Sequence, residues 1–185
     1  MPDTSKKRPG GARSKSDRLE ATRTKVLEAA LPNVAFDGWT PRLLREASET
    51  AGVSHGEMRL AFPDGILDLV DFFLEDGDRR MEEALAGQDL AAMKIRERIT
   101  LAVRTRIEVD LHAREAMRRA ITMFALPTSG TRGPHSLYRT VDAIWRAAGD
   151  TSTDFNFYTK RATLAGVFSS VTLYWFADDS ENYAR

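Results

Sequence analysis

Few side chains in this sequence could carry catalysis. It contains no cysteine and three histidines, His55, His112 and His135. Nucleophilic catalysis of the hydrolase type needs a serine or cysteine that a histidine can deprotonate, usually on a strained turn such as Gly-x-Ser-x-Gly. That motif is absent. Nothing in the sequence therefore favours a catalytic triad.

A second candidate chemistry is a metal site formed by Glu108 and His112. A di-iron carboxylate site in a helical bundle uses Glu-x-x-His pairs that project inward from facing helices. Glu108 and His112 are four residues apart, and their neighbours include Arg104, Arg106 and Arg114. We therefore predict a solvated helix face here. A phosphate-binding Gly-x-x-x-x-Gly-Lys-Ser loop is also absent, so we expect no enzyme activity, no catalytic residue, no metal and no cofactor.

The composition describes the kind of chain that must position any functional residues. Its 185 residues include 27 Lys and Arg against 27 Asp and Glu, and 42% are hydrophobic. This balance excludes low-complexity disorder and a membrane-embedded protein. Residues 1–16 differ, because five basic side chains accompany one acid and no apolar segment of a signal peptide. We predict a disordered basic tail, with order beginning near Ser16.

Hydrophobic periodicity predicts helices throughout the remaining chain and no strands, which makes the protein all-α. The predicted helices are 17–34, 41–51, 54–62, 66–85, 93–111, 114–126, 137–148 and about 152–176. The first helix has one apolar stripe, formed by Leu19, Val26, Leu27, Ala30 and Val34. We predict a helix-turn-helix unit of three helices at 17–65, followed by a helical bundle at 66–185.

The charge of the helix-turn-helix segment argues against DNA binding. From Asp37 to Gly65 there are five acidic residues and three basic ones, which gives a net charge of −2. Affinity for DNA comes mainly from Lys and Arg that neutralise phosphates. The candidate recognition helix carries Glu57 and only Arg59. We therefore predict no specific DNA binding, with a DNA-binding regulator kept as the alternative function.

The last predicted helix is apolar around most of its circumference. A helix that is apolar on all sides must be enclosed, so we expect it to be buried. Small residues, among them Gly166, Ser169 and Ser170, interrupt its bulky ones. They either let neighbouring helices approach closely or leave a channel for a long apolar ligand. Close packing is the commoner arrangement in proteins, and both alternatives stay open.

Two stretches of the sequence resemble known families. Residues 24–38, 46–54 and the pair Phe62-Pro63 resemble the N-terminal domain of TetR-type regulators. Those regulators usually carry a tyrosine before the Phe-Pro pair and a lysine after it, whereas this chain has Arg59 and Gly65 there. The resemblance implies a TetR-like fold, and the two departures argue against the regulatory role.

The second stretch, residues 141–161, reads VDAIWRAAGDTSTDFNFYTKR. It resembles the signature of the accessory proteins of ubiquinone biosynthesis, the ninth Coq protein family, which have a TetR-like fold without TetR's regulatory role. With Ala29-Ala30-Leu31, residues 36–39 and the turn 63–65, the similarity runs from about residue 20 to 180. It implies a homodimeric, non-catalytic protein that binds an isoprenoid quinone lipid and presents it to the di-iron demethoxyubiquinone hydroxylase at the membrane.

The resemblance also implies two sets of site residues. The surface that binds the hydroxylase partner would comprise Asp142, Ile144, Asp154, Asn156, Phe157, Tyr158 and Arg161. The lipid pocket would be lined by Leu126, Trp145, Leu164, Phe168, Val171 and Trp175. Ordinary roles remain open, because Ile144 lies on an apolar stripe, Asp154 could cap a helix, and the pocket residues could be plain core.

Membrane contact is expected to be peripheral. Family members usually continue beyond residues 178–180 into a further amphipathic helix that reaches the membrane, whereas this sequence ends at Arg185. The basic tail could attract anionic lipid at roughly 1 kcal/mol per side chain. We expect a bacterial cytoplasmic protein that visits the membrane, or a protein on the matrix side of the mitochondrial membrane in a eukaryote.

Overall fold

The computed structural model describes residues 10–150, 155–178 and 180. These residues form eight α-helices and three short 3₁₀-helices, and no strand occurs among them, so the all-α prediction is confirmed. The α-helices are α1 (Gly10–Asp37), α2 (Pro41–Thr50), α3 (His55–Ala61), α4 (Ile66–Ala86), α5 (Ile95–Glu108), α6 (Arg114–Phe124), α7 (Arg132–Ala147) and α8 (Phe155–Ala177). The 3₁₀-helices are Leu90–Ala92, Leu111–Ala113 and Pro127–Ser129. None of the described helices is both long enough and apolar enough to cross a membrane.

The chain forms two compact units, one up to Leu69 and the other from Val70 onward. In the first unit, α1 packs against α2 and α3. The predicted stripe of α1 supplies its buried face, with Val26, Ala30 and Val34 fully enclosed. α2 and α3 each begin after a residue whose side chain accepts a hydrogen bond from a backbone N–H at the start of the helix.

Capping residues explain the bounds of α2 and α3. The Thr40 hydroxyl accepts a hydrogen bond from the backbone N–H of Leu43 at 3.1 Å. Ser54 and Glu57 form a capping box, in which each side chain accepts from the other residue's backbone N–H. Gly52 follows α2 with φ +67°, a conformation that glycine adopts without strain. Local chemistry therefore explains where α2 and α3 begin and where α2 ends.

Two helices begin earlier than predicted. α1 starts at Gly10 instead of near Ser16, because extending an existing helix through residues such as Ala12 and Lys15 needs no new nucleation. α7 starts at Arg132 instead of near Leu137. Pro134 fits its first turn, where the missing N–H has no helical partner in any case. Residues 1–9 of the predicted tail, and 151–154 with Asp154, lie outside the described residues.

The second unit is built around a core that α4, α5, α7 and α8 share. Its centre includes Met81, Val103, Val141, Ile144 and Phe168. α7 packs against α5, α6 and α8. α7 therefore lies in contact with α5, α6 and α8, and the site described next is formed among these helices.

The expectation that α8 is enclosed on all sides is wrong in the single chain. One face is buried and carries Leu164, Phe168 and Trp175, whereas Leu173 and Tyr174 are 61% and 56% exposed. Periodicity counts apolar residues around a helix, but the packing of α7 along one side of α8 decides which of them are covered. The outer face of α8 is thus an exposed apolar surface.

Candidate functional site

A cavity of about 510 Å³ lies in the second unit, bounded by residues of α4 to α8. Its wall is mostly apolar and includes Leu74, Ile107, Ile121, Phe124, Leu137 and Phe168. Interiors of proteins are normally close-packed, with few voids larger than a water molecule. Of the two alternatives left open for the small residues of α8, a cavity beside this helix matches a channel for an apolar ligand.

The small residues of α8 do not serve close helix packing at every position. A Cβ atom added at Gly166 would meet no atom within 4 Å. Ser169 lies in the cavity wall, on the inner side of the same helix. Gly166 is exposed, so the open space beside it is solvent, and of the two positions only Ser169 borders the cavity.

Close approach of α6 and α7 shapes one corner of the cavity. A Cβ atom at Gly133 would lie 2.5 Å from the carbonyl oxygen of Phe124. Because such a contact is far inside the ordinary separation of about 3.5 Å, a side chain at position 133 would force the two helices apart. Both residues line the cavity, so this glycine sets the wall geometry there.

One part of the wall is charged, and its centre is Arg106, which is only 1% exposed. Its Nε donates to Asp78 at 2.7 Å, its Nη1 donates to Asp110 at 2.5 Å, and its Nη2 donates to the Leu74 carbonyl at 3.1 Å. Burial opposes the charged form, but the carboxylates of Asp110 and Asp78 more than offset it and raise the pKa of Arg106. Arg106 is therefore a fully buried cation with two buried counter-charges.

This arginine corrects the predicted solvated face around Glu108. Arg104 of that face is exposed, as expected, and pairs with Glu108 at 2.6 Å. Arg106 points to the opposite side of α5, where Asp78 of α4 faces it. Sequence spacing placed the arginines on one helix but contained no signal for the tertiary partner of Arg106.

Residues around Arg106 complete a network at the cavity floor. The Ser136 hydroxyl donates to Asp71 at 2.6 Å and the Thr140 hydroxyl donates to Asp78 at 2.8 Å. Arg139 Nη1 lies 3.0 Å from Asp71, and Arg80 Nη2 lies 2.6 Å from Asp110. We call this set the floor network; it comprises Asp71, Asp78, Arg80, Arg106, Asp110, Ser136, Arg139 and Thr140.

The residues predicted to line a lipid pocket divide into two groups. Phe168 and Trp175 line the cavity. The other four lie elsewhere, in the core or at the surface: Leu164, Trp145, Leu126 and Val171. The sequence reasoning missed the walls from α5, α6 and the first turn of α7, because a helix pattern does not reveal where neighbouring helices separate. The assignment of these residues to lipid binding stays a prediction.

The predicted partner-binding residues meet where α7 and α8 lie side by side. Arg161 is buried; its Nε donates to Asp142 at 2.7 Å and its Nη1 donates to Asp150 at 3.2 Å. Its guanidinium lies over the Phe157 ring at 3.4 Å from the centroid. The Tyr158 ring meets Phe157 edge-on at 5.1 Å and is 68% exposed. The Arg161 guanidinium thus supports the Phe157 ring, against which the exposed Tyr158 ring packs.

The remaining members of that predicted surface have different environments. Ile144 is completely buried in the core of the second unit, which matches its alternative structural role. Asn156 is exposed at the start of α8. Asp154 lies outside the described residues. Among the described positions, Tyr158 and Asn156 are the most accessible of the predicted set.

The helix-turn-helix unit offers a poor face for a polyanion. The exposed Arg42 pairs with Glu46 at 2.7 Å, and the hydrogen bond to that carboxylate raises the pKa of Arg42. Glu57 lies in the first turn of α3, and Leu60 of the same helix is exposed. Pairing with an acid reduces what Arg42 can contribute to phosphate binding.

Residues 131–185, which contain α7 and α8, match the family model described as COQ9. The chain is also 30% identical to ubiquinone biosynthesis protein COQ9, mitochondrial, of Bos taurus, over 89% of this chain and 53% of that protein. The resemblance to the COQ9 family is confirmed. The COQ9 of Homo sapiens is 29% identical over 89% of this chain and 54% of its own length. The chain thus spans about half the length of the curated relatives it matches.

A solved structure shows the fold independently. The crystal structure of the TetR transcriptional regulator from Nitrosomonas europaea matches with a TM-score of 0.69 at 20% sequence identity. The match covers 88% of this chain and 90% of that one. The TetR-like fold predicted from the sequence is therefore confirmed, and at this identity the likeness concerns the fold alone.

Proposed function

We propose that this chain is a lipid-binding accessory protein of ubiquinone biosynthesis. It binds a polyprenylated quinone precursor and presents it to the di-iron demethoxyubiquinone hydroxylase. The apolar cavity of about 510 Å³ carries the proposal. The similarity to proteins named for ubiquinone biosynthesis supports its biological context.

The energetics of the cavity favour a hydrocarbon ligand. Transfer of apolar surface out of water stabilises by roughly 0.8 kcal/mol for each buried CH₂ group. An isoprenoid chain is a run of such groups without hydrogen-bonding atoms, so it suits a wall made of Ile107, Ile121 and Leu137. A small polar metabolite would lose its water contacts there without replacement.

The proposed role is non-catalytic. The titratable groups nearest the cavity belong to the floor network, where Asp71, Asp78 and Asp110 are each paired with an arginine. A general acid or base must lie within hydrogen-bond reach of a bound substrate, and none of these three carboxylates is among the residues that line the cavity. Binding and orientation are the functions left to this chain, and the hydroxylase supplies the chemistry.

The α7–α8 surface supplies a means of presentation. Protein-binding hot spots are enriched in aromatic residues and arginine, and they gain from rigid supports. Tyr158 stands exposed on Phe157, which Arg161 holds from below. Contact with the membrane surface and assembly as a homodimer are parts of the same proposal, the latter through the exposed outer face of α8.

A pair of adjacent substitutions tests lipid binding. Ser169→Trp places a large side chain in the cavity wall, whereas Ser170→Trp places the same side chain at the next position, which is exposed and does not line the cavity. We expect a prenylated quinone or precursor to be extracted from the purified wild-type protein and from Ser170→Trp, and to be depleted at least fivefold in Ser169→Trp. Lipid identification by mass spectrometry is the measurement, and circular dichroism checks the fold. Equal lipid content in folded samples of both variants would contradict the proposed site.

A further inference from the structure

The backbone turn that ends α7 has the hydrogen bonds of a Schellman motif. The N–H of Gly149 donates to the Arg146 carbonyl at 2.9 Å, and the N–H of Asp150 donates to the Trp145 carbonyl at 3.0 Å. Gly149 has φ +85°, a left-handed conformation that glycine adopts without strain. The path of the chain is therefore defined as far as Asp150.

The Asp150 carboxylate connects this turn to α8. The Asp150 side chain is 5% exposed, and it accepts hydrogen bonds from Lys160 Nζ at 3.0 Å and from Arg161 Nη1 at 3.2 Å. Arg161 supports the Phe157 ring, against which Tyr158 packs. One buried carboxylate thus links the end of α7 to the surface proposed to bind the hydroxylase.

An arginine of α5 binds the same turn through its backbone. Arg98 Nη1 donates to the Ala148 carbonyl, at the C-terminal cap of α7, at 3.1 Å. Its Nε and Nη2 donate to the carbonyls of Met93 and Ala91 at 3.0 and 3.2 Å. Carbonyls at the end of a helix lack donors within the helix, and a cation there also interacts favourably with the helix dipole. One guanidinium therefore joins the end of α7 to the segment before α5.

The shape of a guanidinium suits this position. It presents five N–H donors in one rigid plane, whereas a lysine ammonium is a compact point charge on a flexible stem. Arg98 is half-buried and lies close to the turn, because a Cβ atom added at Gly149 would be 3.3 Å from its Nη1. Three carbonyls from two segments are thus held by one side chain.

We infer that Arg98 is a positioning residue for the proposed partner-binding surface: by holding the Ala148 carbonyl it keeps the Asp150 carboxylate against α8. This inference rests on the proposed function and adds a residue outside the predicted surface that controls binding of the hydroxylase. Arg98, Ala148 and Asp150 are not among the residues that line the cavity. Arg98 therefore acts on partner binding and not on lipid binding.

The expected effect of removing Arg98 is moderate. Arg161 Nε also donates to Asp142 at 2.7 Å, so Arg161 keeps one carboxylate when Asp150 moves. Residues that act through others commonly change an affinity by about two- to thirtyfold. We expect a loss of hydroxylase affinity of about fivefold, within this range and smaller than the loss caused by Tyr158→Ala.

A pair of substitutions on α5 tests the inference. Arg98→Met removes the donors and retains an unbranched apolar stem, whereas Arg96→Met makes the same change at an exposed position two residues earlier. Affinity for the purified hydroxylase is measured by surface plasmon resonance, and lipid content per folded protein by mass spectrometry. We expect about fivefold weaker hydroxylase binding in Arg98→Met and less than about twofold in Arg96→Met. Lipid content should match the wild type in both variants.

A double-mutant cycle distinguishes positioning from a general loss of structure. Asp150→Asn removes the ion pairs of the turn with α8, so it should weaken hydroxylase binding at least as much as Arg98→Met does. In the Asp150→Asn background, Arg98→Met should add less than about twofold, because both substitutions interrupt the same connection. Independent structural damage would instead multiply the two effects.

The outcomes separate this inference from the proposed function. Wild-type affinity in a folded Arg98→Met protein, an effect that persists undiminished with asparagine at position 150, or lipid content that falls in parallel would each overturn the inference. The milder Arg98→Gln replaces the methionine variant where that variant does not fold, and its undiminished binding would have the same meaning. If Tyr158→Ala also binds the hydroxylase as tightly as the wild type, the proposed partner-binding surface itself is wrong.

Discussion

Gly77→Ala is expected to destabilise the protein although alanine is the better helix former. Gly77 lies within α4, and an alanine Cβ there would be 2.5 Å from Nη2 and 2.6 Å from Cζ of Arg106. These separations are about 1 Å shorter than an ordinary contact. The guanidinium is the end of a flexible side chain, but it is buried and bound to Asp78 and Asp110, so it has no alternative position of equal energy.

Two opposing effects determine the magnitude. Replacing glycine by alanine inside a helix stabilises by about 1 kcal/mol. Breaking a buried ion pair by removing one partner costs about 3 to 5 kcal/mol, and displacement of Arg106 should cost about 3 kcal/mol, the lower end, because Arg139 and Arg80 still face Asp78 and Asp110. The difference predicts that Gly77→Ala lowers the free energy of unfolding by about 2 kcal/mol.

Gly166→Ala is a matched control with the same chemical change. Gly166 lies within α8, and a Cβ there would meet no atom within 4 Å. The helix-propensity effect then acts alone, so we expect stabilisation of up to about 1 kcal/mol. Urea denaturation followed by circular dichroism measures both variants, with a common m-value required for comparison. The two substitutions should shift the midpoint in opposite directions.

A double-mutant cycle identifies the cause. In an Arg106→Met background the guanidinium is absent, so Gly77→Ala should lose most of its cost. If Gly77→Ala stabilises the wild-type protein as much as Gly166→Ala does, the close contact with Arg106 is not a constraint. If its cost persists with methionine at position 106, another contact is responsible. Either result would refute the argument from the guanidinium geometry.

Three further predictions concern the surface. Tyr158→Ala should reduce capture of the purified hydroxylase at least tenfold in a pull-down, whereas Thr163→Ala, an exposed control on α8, should not; equal capture would contradict the proposed surface. Hydrogen bonds from Arg118 and Arg119 lower the pKa of Glu115 from 4.5 to about 2; its stabilising effect is complete above pH 4.5 and lost as the pH falls toward 2, so Glu115→Gln should flatten that part of the stability profile. In the helix-turn-helix segment, charge reversal at Arg42, Arg45 and Arg59 should not change duplex binding, which we expect to be weak and without sequence preference when measured by salt titration. A sequence-specific complex that charge reversal abolishes would favour the regulator alternative.

The sequence was most informative where short-range chemistry decides the structure. Ser54 and Glu57 have the spacing of a capping box, and both partners are within three residues. The stripe that includes Val26 and Val34 required only the helical period, and both residues are fully buried. Such features depend on neighbours along the chain, so they can be predicted before the fold is known.

Tertiary partners limited the prediction of the site. Arg106 and Arg104 are two residues apart on α5, yet one is buried and the other exposed, because Asp78 on α4 faces only Arg106. Likewise Phe168 lines the cavity whereas Val171 does not. Both are apolar residues of α8, and only the positions of α5 to α7 distinguish them. A pattern within one helix does not contain that information.

The cavity and the proposed partner-binding surface both use α7 and α8. α7 contributes Ser136 and Thr140 to the cavity floor and Asp142 to the proposed partner-binding surface. α8 contributes Phe168 and Trp175 to the cavity wall, and Tyr158 to the exposed aromatic surface. Because the buried Arg161 on α8 forms an ion pair with the half-buried Asp142 on α7, the aromatic surface and the cavity wall belong to one connected structure. The family model described as COQ9 covers these two helices, in residues 131–185, and the curated relatives match 89% of the chain.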